Sequence, residues 1–358
     1  MSAAKVVFIK DWEPKPVEWI WPGWLARGKL TILGGNAGTG KSTLTQAIAA
    51  IVTKGEVWPD SPKSPEDAVR RAEQGYFIGW DGEDDLSDTT GPRFLACGGD
   101  REYYLPLGAE DGGEPRPFNP RDDIPKVREA AKEYGSKLSV LSISPLVALR
   151  QSQVKDDNTG VRQDLRPLVE LAEELNVAVI GIHHLSKGTQ GRDPLERLTG
   201  SLAFGAVSRG AMIAVMSGDQ SKARLVRVKN SLGIAGGGID YTIEPHEITN
   251  NKGEKIATSR IRWGKPIAGS AESLIAEIDG SGKSGRKDGE LERAMNFLGS
   301  VLSGGPMTRK QVIKLAEQQN PQIKVHTLDR AADELRVTKA SGGWALRAIP
   351  PAMPEAAE

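Results

Sequence analysis

The segment GNAGTGKS, Gly35 to Ser42, matches the phosphate-binding pattern G-x-x-x-x-G-K-[ST] at every fixed position. A nucleoside triphosphate needs many donors close to its oxygens. Glycines let the backbone curl so that successive N–H groups face one anion, and a helix that follows adds its positive end. The candidate nucleotide site is therefore Gly35, Asn36, Ala37, Gly38, Thr39, Gly40, Lys41, Ser42 and Thr43. Lys41 would reach the β- and γ-phosphates, and the Ser42 hydroxyl would ligate Mg²⁺. No NKxD-type guanine signature is found, which favours ATP over GTP. The motif does not choose a reaction, because ATPases, GTPases, kinases and motors share it.

Other residues could complete the chemistry. Glu83, Asp84 and Asp85 lie just beyond an apolar run at 75–80. A carboxylate at a strand end beside the phosphates can orient and activate a water. A second apolar run, 138–143, ends in Ser144-Pro145, and a third, 177–182, ends in His183-His184. Adjacent strand residues point to opposite faces, so at most one of the two histidines faces a nucleotide. Metal binding by this pair is disfavoured, because no carboxylate or cysteine stands at ligand spacing. Arg209, Arg227 and Lys229 are candidates for a cation that enters a neighbouring subunit's site. Arg227 and Lys229 alternate onto one face of a strand. A solvated acidic turn and solvated strand charges remain alternative readings.

These groups need a scaffold. Short apolar runs at 30–33, 75–80, 138–143, 177–182, 211–216 and 225–228 read as strands, and 42–53 and 127–134 read as helices. Val161, Leu165, Leu168, Ala172 and Leu175 recur at helical spacing. Alternation of strands and helices predicts α/β, a mostly parallel sheet covered on both faces. Before it stands a tryptophan-rich lead (Trp12, Trp19, Trp21, Trp24). After it, 269–290 contains SGKSGRKDGE and reads as a linker. Beyond that, Thr308 with Gln311 forms a capping box, Thr327 caps a further helix, and Gly342-Gly343 marks a hairpin. The expected division is lead 1–18, core 19–268, linker 269–290, winged-helix-like domain 291–350 and tail 351–358.

The ordered motifs WIWPGWLARGKLTILGGNAGTGKST, GEDDLSDTTGPRFLACGGD, SPLVAL with DDNTGVRQDLRPL, VIGIHHLSKG and GSLAFGAVSRG resemble the RecA-like ATPases of the plasmid RepA type, a hexameric replicative-helicase group. The likeness is greatest to prophage and plasmid members that carry a helix-turn-helix tail, and it spans roughly 19–263. It implies a RecA-like P-loop core in a homo-oligomeric ring that acts on single-stranded DNA. By the same resemblance Glu83 is the catalytic base, and His184 senses the γ-phosphate. Arg209 is a trans finger, and Lys187 and Arg192 in the loop 186–197 line the channel. The family has Asp-Pro where this chain has Ser144-Pro145, and that Asp holds the Mg²⁺ hydration shell. Serine has no charge, although it can hydrogen-bond a metal-bound water. Either Asp84 or Asp85 compensates, or hydrolysis is slow, or the protein only binds ATP.

The remaining arithmetic sets limits. In 358 residues, Lys plus Arg and Asp plus Glu are 47 each, so any attraction for nucleic acid is local. From 304 to 349, eight Lys and Arg face four acids, a patch suited to duplex DNA, with Arg330 and Lys339 as contacts. The lone Cys97 excludes an intrachain disulfide. No stretch is long and apolar enough to span a membrane, and the amino terminus lacks a secretory pattern. A cytoplasmic setting is expected. The leading reading is an ATP- and Mg²⁺-dependent DNA motor, a replicative helicase of a plasmid, prophage or other mobile element. The alternatives are a nucleotide-gated DNA-binding regulator and, more distantly, a P-loop kinase, against which the missing lid signature and the basic tail argue.

Overall fold

A computed structural model describes residues 9, 13–62, 69–108, 110–111, 114–116, 118–149, 158–185, 193–198, 202–279, 293–295, 297–302, 305–319, 322–335, 337–340 and 343–345. The chain divides into two units, Met1–Gly280 and Ser281–Glu358.

The first unit is built on a nine-stranded sheet. From one edge to the other run Lys255–Ile267, Gly238–Thr249, Ala223–Asn230, Gly210–Met216, Leu30–Gly35, Ala178–His184, Leu138–Ser144, Tyr76–Asp81 and Tyr104–Pro106. From Gly210–Met216 to Tyr104–Pro106 every neighbouring pair is parallel. The other three strands add in antiparallel fashion. This is the expected α/β architecture, a large and mostly parallel sheet covered on both faces.

Alternation along the strands explains the two-sided packing. Ile32 joins one apolar cluster and Leu33 the other. Leu141 and Ile143 face the first cluster, whereas Val140 faces the second. Helix Lys41–Lys54 covers the second side with Leu44, Ile48 and Val52. Helix Asn158–Leu175 covers the first, with Val161, Leu165, Leu168 and Ala172 buried at the spacing read from the sequence. Strands apolar on both faces belong in a parallel sheet sandwiched by helices.

The tryptophan lead belongs to this unit. Trp19–Trp21 pairs with Leu25–Ala26, and Trp21 stacks on Trp24 and Trp58 at 4.8 and 4.7 Å. Both indole N–H groups of Trp21 and Trp24 donate to the Asp60 carboxylate, at 2.8 and 3.1 Å. Trp12 lies outside the described residues.

One expected boundary is corrected. The supposed linker 269–290 begins with helix Ala271–Asp279, whose Leu274, Ile275 and Ile278 are buried in the first cluster. The polar stretch that follows it masked this short apolar stripe. The long hairpin Gly238–Thr249 with Lys255–Ile267 was also not read. Its residues alternate between half-buried and exposed with many charges, so no apolar run marks it.

In the second unit, helices Arg309–Glu317 and Val325–Glu334 precede a small antiparallel pair, Thr338–Ala340 with Gly343–Ala345. Thr308 and Gln311 form the capping box. Thr327 does not cap the next helix: Lys324 holds that position and Thr327 is buried inside the first turn. Leu298, Val312, Leu328, Ala331 and Trp344 form the core of this unit.

Candidate active site

Strand Leu30–Gly35 and helix Lys41–Lys54 are joined by residues 36–40 alone. Gly38 and Gly40 adopt φ of 80° and 77°, a left-handed backbone that costs glycine little. A Cβ on Gly40 would also lie 2.5 Å from Ile243 Cδ1. Gly40 caps the helix without a side chain, and no acid occupies the first turn. The leading amides of the helix are thus left to an anion at its positive end. Asn36, Ala37 and Gly38 form the exposed tip, Thr39 and Thr43 are buried, and Ser42 is half-buried. The loop is braced twice: Thr39 Oγ1 donates to the Asn36 carbonyl at 2.9 Å, and the Tyr241 hydroxyl donates to the Thr39 carbonyl.

The parallel register brings the other candidates to the same edge. Gly35 is level with His184 on one side and Ala214 on the other, and Asp81 is level with Ser144. In open α/β sheets this carboxyl edge is where ligands sit. Lys41 Nζ donates to the Asn36 carbonyl at 3.0 Å and lies 3.4 Å from His184 Nδ1. His184 Nε2 is 3.5 Å from Glu83 Oε1. A cation, an imidazole and a carboxylate therefore form one polar chain from the phosphate loop outward. Burial pulls the Lys41 ammonium below its ordinary value, and the Glu83 carboxylate opposes that shift.

The neighbouring histidine faces the other way. His183 is buried, its ring 4.4 Å from that of Phe204, and its Nδ1 has no hydrogen-bond partner. Burial drives its pKa down to about 4, and His184 and Lys41 add to the shift.

The acidic turn separates into distinct parts. Asp81 Oδ1 accepts from the backbone N–H of Glu83 at 3.0 Å and of Asp84 at 3.2 Å, which fixes the turn that presents Glu83. Asp84 pairs with Arg93 at 2.5 Å. Asp85 caps the following short helix through Ser87. Neither Asp84 nor Asp85 shares the cleft beside Ser42, whereas Asp81 does, together with Gln46, Tyr104, Ser142 and Ser144. Sequence reasoning passed over Asp81. Its signal was position: it is the last residue of its strand, level with Ser144, although the apolar run was read to end one residue earlier.

The donor set suits Mg²⁺. That ion takes oxygen ligands, keeps several waters and leans on one or two carboxylates plus substrate phosphates. The cleft offers a hydroxyl at Ser42 and a carboxylate at Asp81, and Ser144 can hold a water. Among the described residues no three His, Cys, Asp or Glu side chains cluster to hold a metal by themselves.

The three finger candidates differ. Arg227 Nε and Nη1 donate to the carbonyls of Gly236 and Gly23, both at 3.0 Å, and its guanidinium lies 5.0 Å from the Trp24 ring. Lys229 Nζ donates to the carbonyls of Gly205 and Ser208 at 2.6 and 2.8 Å. Both side chains are tied to carbonyls of their own subunit, unlike the expected projection from a strand face toward a neighbour. Arg209 is exposed and makes no side-chain hydrogen bond or ion pair among the described residues. It precedes Gly210, which is level with Thr31 at the start of the phosphate-loop strand. Arg209 is thus at the edge of the sheet opposite the loop, about 15–20 Å away at ~3.3 Å per strand residue. Lys187 and Arg192 lie outside the described residues.

Residues 2–190 match a protein family described as an AAA domain. No curated protein matches the chain. Among solved structures, one titled "ATPase Domain of G40P" is similar at 13% identity and a TM-score of 0.44, over 60% of this chain and 82% of that chain. Among the described residues no helix is long and apolar enough to cross a membrane.

Proposed function

The chain belongs to this AAA-domain family, and on that footing we propose that it binds and hydrolyses ATP as a RepA-like motor on DNA, a replicative helicase of a plasmid, prophage or other mobile element. The observation that carries the reading is the polar chain Lys41–His184–Glu83 at the mouth of a glycine loop whose helix amides are open. Lys41 and the amides of residues 36–43 would hold the triphosphate. Glu83 would take the proton of the attacking water, which raises its nucleophilicity as the terminal phosphoryl group departs. His184 touches both the lysine and the base, so it would register whether a γ-phosphate is present. Bound Mg²⁺ would neutralise phosphate charge, with Ser42 among its ligands.

Arg209 cannot reach its own loop, so its use as a finger would require a neighbouring subunit, and a homo-oligomeric ring follows. Single-stranded DNA is the proposed track of the core. Duplex DNA is the proposed ligand of the winged-helix-like carboxy-terminal unit, where Lys324, His326 and Arg330 are exposed on or beside helix Val325–Glu334. The uncharged Ser144 favours one second reading, a nucleotide-gated DNA-binding regulator that turns over little ATP.

Steady-state ATP turnover with and without single-stranded DNA tests this. Stimulated turnover in the natural chain, lost by at least about 10²-fold in Lys41→Ala, is the expected result. Tight ATP binding without turnover would support the regulator, and no ATP binding would remove both readings.

A further inference from the structure

We propose that Asp81, at the end of the strand next to Ser144, supplies the negative charge that faces Mg²⁺ in the nucleotide complex. The inference rests on the ATP reading above and names the residue that would complete its metal side.

Ser144 is the last residue of Leu138–Ser144, and Asp81 is the last of Tyr76–Asp81. The two strands are parallel neighbours with these residues level, and the Gly82 N–H donates to the Ser144 carbonyl at 2.7 Å. A carboxylate on Asp81 is therefore displaced by one strand, about 4.8 Å, from one that Ser144 would have carried. Asp81 is also the one ionisable carboxylate lining the cleft that contains Ser42. The same cleft also carries the neutral oxygens of Thr45, Gln46, Ser142 and Ser144, which can hold metal-bound water.

The charge balance at Asp81 points the same way. The carboxylate is half-buried and has no ion-pair partner among the described residues. The charged groups that act on it are Asp84 and Glu83, both of its own sign. Asp84 has Arg93, while Asp81 has only two backbone N–H groups, both on Oδ1. Oδ2 has no hydrogen bond among the described residues. A partly buried anion without a cation is costly, and a divalent ion between Ser42 and Asp81 would supply the missing charge.

The test measures metal affinity directly. Mn²⁺ binding to the full chain with a non-hydrolysable ATP analogue is followed by electron paramagnetic resonance, and analogue affinity in EDTA is measured by calorimetry. Asp81→Asn keeps an acceptor oxygen for the turn. It should weaken Mn²⁺ binding by about 10–100-fold and leave analogue affinity in EDTA within about threefold. The double variant Asp81→Asn/Ser144→Asp, which moves the carboxylate to the next strand, should recover most of that loss. Ser144→Ala alone should change Mn²⁺ affinity by less than about threefold. A loss below threefold in Asp81→Asn overturns the assignment, and so does a tenfold loss in Ser144→Ala. The Ser144→Ala outcome can overturn the assignment even if Asp81→Asn does not fold. Failure of the natural chain to bind the analogue would instead overturn the ATP reading.

Discussion

The parallel and antiparallel halves of the sheet treat their charged residues in opposite ways. In the parallel half, strands end at Gly35, Asp81, Ser144 and His184, and all four ends reach one edge. Parallel strands share a direction, so whatever follows each strand is delivered to the same side. In the antiparallel half three cations are tied within the subunit, although Lys255 and Arg262 of the outer hairpin are exposed. Arg224 binds Asp240 at 2.7 Å and Glu277 at 2.8 Å, and Arg227 and Lys229 hold backbone carbonyls. The difference teaches that a residue type is a weak guide to function until its place in the sheet is known. Arg209 and Lys229 flank the same end of the strand pair, yet only Arg209 is free.

The largest expected effects separate Arg209 from Arg227. Arg209→Ala should lower DNA-stimulated turnover about 10³-fold or more, the range of a trans arginine, with the thermal midpoint unchanged. Arg227→Ala should instead cost about 1–3 kcal/mol of stability in urea, through lost charge-assisted hydrogen bonds to Gly23 and Gly236. The opposite pattern, a stable but inactive Arg227→Ala with an active Arg209→Ala, would break the partition between the two halves.

The sequence made the parallel half legible because its strands are apolar on both faces and its loop carries a glycine signature. The six runs read as strands all lie in the sheet, and the helix 161–175 stripe is buried at its expected positions. The antiparallel hairpin was invisible for the complementary reason. Gly238–Thr249 and Lys255–Ile267 are mostly half-exposed, so hydropathy alone does not distinguish them from loops. Within the site, Lys41 and Ser42 follow from local pattern and Glu83 and His184 from the family resemblance, but Asp81 and Tyr241 follow from neither. Asp81 matters through its register with Ser144, and Tyr241 approaches Thr39 across a separation of 202 residues. Contacts between distant segments leave no trace in spacing.

The parallel half has a finer contrast, between His183 and His184. His183 is buried with a pKa near 4, below the ordinary 6.5. The unfolded chain takes up that proton below about pH 6.5, and the folded chain only near pH 4. Stability from this group is therefore complete above pH 6.5 and declines as the pH falls toward 4, by about 2 kcal/mol at pH 5. Urea midpoints at pH 7.5 and 5.0 measure it. His183→Leu should reduce the acid loss by that amount relative to the natural chain, whereas equal losses would show that the ring is not held neutral by its surroundings.

The smallest effect tests the place where, among the described residues, the antiparallel half hydrogen-bonds the phosphate loop. Tyr241 is fully buried, its ring packed edge-on to Trp263 at 6.5 Å, and burial raises the pKa of its hydroxyl. The hydroxyl therefore remains a donor throughout the usable pH range, and its acceptor is the Thr39 carbonyl. Tyr241→Phe keeps the ring and removes the donor alone. It should cost about 1 kcal/mol of stability, because the Thr39 carbonyl loses its partner. If the hydroxyl also sets the loop's curvature, ATP affinity should fall about fivefold, with no change in turnover at saturation. Loss of stability with unchanged affinity would confine the antiparallel half to scaffolding. A fall in affinity would mean that this half, which contributes no free charge to the loop, nonetheless shapes it through the backbone.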